Sequence, residues 1–224
     1  MTARTVFPRD TGRVAVKICG ITSGDQASAI AEAGADAIGI NFWPRSKRYI
    51  SFEDALPWLN ELKGVLPRVA VTVNATDDEL LALYESGGLD WLQLHGDETA
   101  ERVASLLEKG LPVFKAIGVR DRDTLVASAE FPGSSLLLDA YAPSEYGGSG
   151  HTMDWALGAE AVSLWPERQV ILAGGLKPEN VAEAIEQVHP AAVDVASGVE
   201  SAPGVKDLAL VKRFLEATHS ASPS

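Results

Sequence analysis

Val16-Lys17-Ile18-Cys19-Gly20-Ile21-Thr22 is the stretch from which the rest of the chain can be read. It has the pattern of a buried strand ending in a turn. Side chains alternate between the two faces of a strand, so Val14, Val16 and Ile18 share one face and Ala15, Lys17 and Cys19 the other. The first face suits packing beneath helices. The second carries an amine and the chain's only thiol toward a common interior. Gly20 ends the strand and leaves Cys19 at its carboxyl end, the end that faces the ligand in α/β folds. A lone strand cysteine is most often a small buried hydrophobe, and Lys17 also reads as a structural ion-pair partner. The segment by itself therefore assigns no reaction.

Outward from it, short apolar runs alternate with helical patterns. The runs are Val14–Ile18, Ala37–Phe42, Val69–Val73, Trp91–Leu94, Val113–Ile117, Ser135–Asp139, Val170–Ala173 and Ala192–Ala196. The helical stretches are Gly24–Ala33, Phe52–Leu62, Asp77–Ser86, Thr99–Lys109, Asp121–Ala129, Trp155–Leu164, Pro178–Gln187 and Lys206–Thr218. Eight such repeats argue for a single α/β domain, a (β/α)8 TIM barrel spanning residues 14–219. The rival, a doubly wound open sheet, would normally carry a glycine-rich dinucleotide loop after the first strand, where this chain has Cys-Gly-Ile-Thr. Residues 1–13 are polar and proline-broken and read as a flexible extension; residues 220–224 read as a disordered tail.

Composition narrows the class further. The chain has 224 residues, 46% of them hydrophobic, enough to bury a full core. A formal charge of −12 disfavours general binding to nucleic acid. No apolar run is long enough to span a membrane, and no secretory signal is visible. One cysteine excludes an internal disulfide and suits a reducing, cytoplasmic setting. His95, His151, His189 and His219 lack metal-ligand spacing.

Alternation assigns Ile38, Ile40 and Phe42, Val69, Val71 and Val73, Leu92 and Leu94, and Leu136 and Leu138 to outward faces. The opposite faces collect Asn41, Thr72, Gln93, His95, Lys115, Asp139 and Asp194, which converge with Lys17 and Cys19. A barrel built only for stability fills its interior with branched apolar residues. Polar residues near strand ends point instead to a site at the upper mouth, although Lys17, Lys115, Asp139 and Asp194 also read as a structural charge network.

Two glycine loops carry the anion signal: Ala173-Gly174-Gly175-Leu176-Lys177-Pro178 after the seventh strand, and Ala196-Ser197-Gly198-Val199-Glu200 after the eighth. Barrels bind phosphate with these loops, through backbone N–H groups that glycine lets a ligand approach. The second-strand loop, Phe42 to Ser51, holds Arg45, Lys47 and Arg48 in an acidic protein, and an arginine fork suits a carboxylate. Tyr146 to His151, after the sixth strand, reads as a lid or a flexible loop. A thiol and a carboxyl flanking a phosphate grip fit an isomerisation by proton transfer.

The motifs VKICGIT (Val16–Thr22), SKRYIS (Ser46–Ser51), LQLHG (Leu92–Gly96), Leu137–Asp139 with YGGSG (Tyr146–Gly150), GGLKPENV (Gly174–Val181) and VDVASGVE (Val193–Glu200) resemble, in order, those of the phosphoribosylanthranilate isomerases. The resemblance runs from about residue 14 to about residue 214. It implies a cofactor-free, metal-free (β/α)8 barrel of tryptophan biosynthesis. The substrate would be the small molecule phosphoribosylanthranilate, and the protein a monomer or homodimer with no nucleic-acid or membrane partner. It further implies Cys19 as general base, Asp139 as general acid, Arg48 on the anthranilate carboxylate, and Gly174, Gly175, Ser197 and Gly198 on the phosphate. Lys17 is the expected source of thiolate stabilisation for Cys19, and His95 stands at a motif position without an evident role. The chain departs from the family's usual residues at Thr72, His151, Met153 and Ala196. Another phosphosugar barrel enzyme, such as an indole-glycerol-phosphate synthase or a pentose-phosphate epimerase, is the nearest alternative. A non-catalytic phosphate-binding barrel would have no use for Cys19 together with Asp139.

Overall fold

The computed structural model describes residues 5–8, 12–141 and 152–221. Eight parallel strands close into a barrel in chain order: β1 (Ala15–Cys19), β2 (Ala37–Asn41), β3 (Arg68–Thr72), β4 (Trp91–Leu94), β5 (Val113–Val119), β6 (Ser135–Ala140), β7 (Gln169–Leu172) and β8 (Ala192–Val195). The helices between them are α1 (Gly24–Glu32), α2 (Phe52–Glu61), α3 (Asp77–Glu85), α4 (Ala100–Glu108), α5 (Arg122–Ala127), α6 (Trp155–Leu164) and α7 (Val181–Val188). A short hairpin, β9 (Glu200–Ala202) and β10 (Val205–Lys206), precedes α8 (Leu208–Ala221). The barrel expected from the eight repeats is thus the observed fold. None of the described helices is long and apolar enough to cross a membrane.

Local chemistry explains the helix starts. Ser23, Ser51, Thr76, Thr99, Asp121 and Asp154 each accept a backbone N–H from the first turn of the helix they precede. Thr76 and Glu79 complete a capping box at α3. Two apolar cores result, one between sheet and helices and one inside the barrel. The inner one contains Ala15, Ala37, Val69, Trp91, Phe114, Leu137, Ile171 and Ala192.

Residues 5–8 differ from the loose extension read in the sequence. Val6 and Phe7 are buried and belong to the inner core. Phe7 N–H donates to Gln169 Oε1 at 3.3 Å, and Gln169 Nε2 donates to the Phe7 carbonyl at 2.9 Å. Phe7 thus packs into the barrel interior and pins this short segment to Gln169. At the other terminus, α8 continues through Ala221, beyond the helix end expected at Thr218.

Two strands have the opposite phase from the one read in the sequence. Val69 faces the barrel interior and Ala70 the helices, so Thr72 points outward, on the Ala70 face. Phe114 and Ala116 face inward, which puts Lys115 outside. Its ammonium donates to the carbonyls of Leu94 (3.1 Å), Gly96 (2.7 Å) and Ala116 (2.8 Å) and lies 3.2 Å from Glu98. Both strands are buried on both faces, so alternation carries no phase information there. Thr72 and Lys115 therefore leave the converging polar set.

Candidate active site

Barrel closure brings β1 against β8 with Lys17 opposite Asp194. Lys17 Nζ donates to Asp194 Oδ1 at 2.7 Å, and Lys17 is fully buried. Burial, the largest single influence on the amine, works against its charge; Asp194 and Cys19 together overcome it and hold the amine above the ordinary lysine range. Gly39 on β2 makes room: a Cβ there would lie 2.7 Å from Cys19 Sγ and 3.1 Å from Lys17 Nζ. Burial also pushes the Cys19 thiol up, and Asp194 adds to this. Lys17 and Lys206 pull the other way without cancelling it. The expected help from Lys17 is therefore present in direction but outweighed, and Cys19 rests as the neutral thiol.

Arg48 sits at the same mouth. Its Nε and Nη2 donate to Glu200 Oε1 and Oε2 at 2.8 and 2.7 Å, a bidentate fork. Lys206 Nζ donates to Glu200 Oε1 at 2.7 Å and to the Ala196 carbonyl at 3.0 Å. Burial opposes charge on Glu200, yet Arg48 and Lys206 hold it below the ordinary carboxylate range. Gly20, at φ +82°, lets the Arg48 chain pass, since a Cβ there would overlap Arg48 Cδ.

Asp139, at the end of β6, accepts its neighbour's N–H: Ala140 N donates to Oδ1 at 2.8 Å. His95 Nε2 stands 3.4 Å from Asp139 Oδ2. The Gly174-Gly175 turn lies against this strand end, and a Cβ on Gly174 would sit 2.6 Å from Ala140 N. Gly174 and Gly175 both have positive φ, +83° and +65°. Gly198 packs so tightly on the Leu176 carbonyl that a Cβ there would overlap it, which joins the two glycine loops into one surface. Among the described residues, the N–H groups of Gly174, Gly175, Ser197 and Gly198 donate to no protein acceptor. In ring order these loops, after β7 and β8, lie between β6, which ends in Asp139, and β1, which ends in Cys19.

The model of the N-(5′-phosphoribosyl)anthranilate (PRA) isomerase family matches residues 16–217. The chain belongs to the N-(5′-phosphoribosyl)anthranilate isomerase family. It is 44% identical over 206 residues to the isomerase of Rubrobacter xylanophilus, covering 92% of this chain and 98% of that one. The crystal structure of the Thermotoga maritima isomerase superposes with a TM-score of 0.83 at 41% identity, covering 92% of this chain and 99% of that one. A crystal structure of the isomerase with reduced 1-(o-carboxyphenylamino)-1-deoxyribulose 5-phosphate gives a TM-score of 0.80 at 38% identity, covering 92% and 99%. With these relatives the chain is an isomerase of tryptophan biosynthesis.

Within the isomerase family's motifs, the structure gathers Cys19, Lys17, Arg48, His95, Asp139 and both glycine loops at the carboxyl ends of the strands. Of the departures from the family's usual residues, Thr72 turns away from the interior, and Ala196 contributes its carbonyl to Lys206. Met153 is buried, with Cε 3.2 Å from where a Cβ of Gly158 would lie. The Tyr146–His151 stretch read as a lid lies outside the described residues. Sequence reasoning missed Gly39, Glu200 as the partner of Arg48, and Lys206, which it placed in a helix and which is in β10. An acidic residue closing the second glycine loop, six residues before a lysine, was the only available signal.

Proposed function

We propose that the chain converts N-(5-phosphoribosyl)anthranilate to 1-(2-carboxyphenylamino)-1-deoxyribulose 5-phosphate, with Asp139 as general acid and Cys19 as general base. One observation carries this reading: the glycine loops lie between β6 and β1, so a phosphate anchored there has Asp139 on one side and Cys19 on the other. Gly174, Gly175, Ser197 and Gly198 hold the phosphate through backbone N–H groups. Arg48, kept in plane by Glu200, addresses the anthranilate carboxylate.

Asp139 gives its proton to the furanose ring oxygen. The bond from that oxygen to C1′ breaks with its electrons, and the nitrogen lone pair forms the iminium. Cys19 then removes the C2′ proton, and those electrons form the C1′–C2′ double bond while the iminium electrons return to nitrogen. The enolamine tautomerises to the ketone. The Cys19 thiolate ends as the thiol with the C2′ proton and Asp139 ends one proton short, and a proton from solvent restores the acid. The resting thiol gives up its proton to solvent once ring opening has made the substrate nitrogen cationic beside it, because an adjacent positive charge favours thiolate. The relative solved with a reduced form of this product makes the same ligand the natural one to test.

The test is the loss of phosphoribosylanthranilate fluorescence with wild type, Cys19→Ser and Asp139→Asn. Both variants should lose about 10² or more in kcat. A wild type that binds a phosphorylated analogue without turnover would replace this reading with a phosphate-binding barrel that does no chemistry.

A further inference from the structure

His95 lies between a fully buried amide and the Asp139 carboxyl. Gln93, on the same face of β4, has its Nε2 3.1 Å from His95 Nδ1. With the amide NH2 turned to the ring, Nδ1 accepts and the imidazole proton sits on Nε2. That nitrogen is the one 3.4 Å from Asp139 Oδ2. Among the described residues Gln93 Oε1 is buried with no partner, so the amide's one side-chain hydrogen bond is the one to His95. The opposite orientation would place Oε1 against Nδ1, move the proton there, and turn a bare Nε2 lone pair on the carboxylate.

The backbone around His95 is clamped with the same bias. Lys115 Nζ takes the carbonyls of Leu94 and Gly96, the residues on either side, at 3.1 and 2.7 Å. Gly96 N–H donates to Glu98 Oε2 at 2.9 Å, and His95 N–H to the Thr72 carbonyl at 2.8 Å. Glu98 also accepts the Asn74 N–H at 2.8 Å, which ties the turn to the loop after β3. Lys115 and Thr72, whose side chains lie off the barrel's inner face, thus serve the residue that stands beside Asp139.

We infer that His95 is a positioning residue for Asp139: locked by Gln93 with its proton on Nε2, it donates to the carboxylate that ring opening leaves behind. The inference rests on the acid role proposed for Asp139. The 3.4 Å gap closes as charge develops on Oδ2, as hydrogen bonds in empty sites do when substrate binds. A neutral donor of this kind favours the charged product of proton donation over the protonated acid, so it lowers the barrier and leaves substrate affinity nearly unchanged.

The experiment joins steady-state kinetics of His95→Leu, His95→Gln and Gln93→Leu with 15N NMR of histidine-labelled wild type, the His95 signals being assigned from their loss in His95→Gln. In wild type the Nε2 signal should be that of a protonated nitrogen and Nδ1 that of a bare one. His95→Leu should lose about 10² in kcat with KM within about 3-fold. His95→Gln, whose amide places an N–H near the Nε2 position, should recover to within about 5-fold of wild type. Inorganic phosphate should inhibit all of them equally. A proton on Nδ1 in wild type, turnover of His95→Leu within about 2-fold of wild type, or a glutamine variant no better than leucine would each overturn the inference while leaving the isomerase reading intact. If His95→Leu does not fold, the tautomer and the glutamine variant decide. A wild type without turnover overturns the isomerase reading, and this inference with it.

Discussion

Replacing Asp194 with asparagine removes the charge that compensates a fully buried ammonium, and its consequences can be worked through. Lys17 donates to Asp194 Oδ1 at 2.7 Å, and the asparagine carbonyl preserves that bond. What is lost is the charge. Removing one partner of a buried pair costs about 3–5 kcal/mol, and the retained hydrogen bond places this variant near about 3. Against a total stability of about 5–15 kcal/mol, that is a large share. For a domain of this size it lowers Tm by about 6–12 °C. The pH dependence has a definite sign. In wild type the Lys17 amine is raised, so its contribution is complete below the unfolded value, about 10.4, and is lost as pH rises through the folded one. In Asp194→Asn burial is opposed only by Cys19, and the folded amine falls below its unfolded value. The unfolded chain then binds more protons over that window, so the variant gains stability as pH rises. Urea unfolding of both proteins from pH 7 to pH 10 reads the difference, which should narrow toward the alkaline end. A Tm within about 2 °C of wild type, or a gap independent of pH, would refute the reasoning that Lys17 is charged at the expense of Asp194.

Gly198→Ala forces a Cβ into the Leu176 carbonyl and separates the two glycine loops. KM should rise about 10- to 100-fold with kcat changed far less, and inorganic phosphate should weaken as an inhibitor in parallel; unchanged phosphate inhibition would place the anion elsewhere. Cys19 is the only thiol, so its alkylation by iodoacetamide in the native protein reports its titration directly. The rate should keep rising past the ordinary thiol range near about 8.5 and reach its plateau only above it; a plateau below that value would contradict a thiol raised by burial.

The fold was legible in the sequence because its signal repeats. Eight apolar runs, each followed by a helix, have few other ways to bury both faces of a parallel sheet. The end of β1 was legible from Gly20, and the tight turns after β7 and β8 from Gly174, Gly175 and Gly198, since a positive φ or a close backbone approach leaves a glycine in the chain. Phase was another matter. In β1 Lys17 marks the inner face, whereas β3 reads Arg-Val-Ala-Val-Thr and β5 is buried on both sides, so nothing local says which residues turn inward. Lys115 shows the consequence: its charge suggested the interior, but three carbonyls and Glu98 hold it outside.

What the sequence by itself determined, then, is the order of the elements, the strand ends at which Cys19, His95 and Asp139 emerge, and the loops that can meet an anion. What only the tertiary structure decided is who partners whom. Lys17 and Asp194 are 177 residues apart and meet because β8 closes onto β1. Arg48 and Glu200, 152 apart, meet because a hairpin after β8 folds back over the first two strands' loops. Phe7 fills the barrel interior from a segment that reads as a tail. Strand periodicity is a local property, set by side-chain alternation along one strand. Charge compensation and packing inside a closed barrel depend on residues from opposite ends of the chain, and exist only once the last strand pairs with the first.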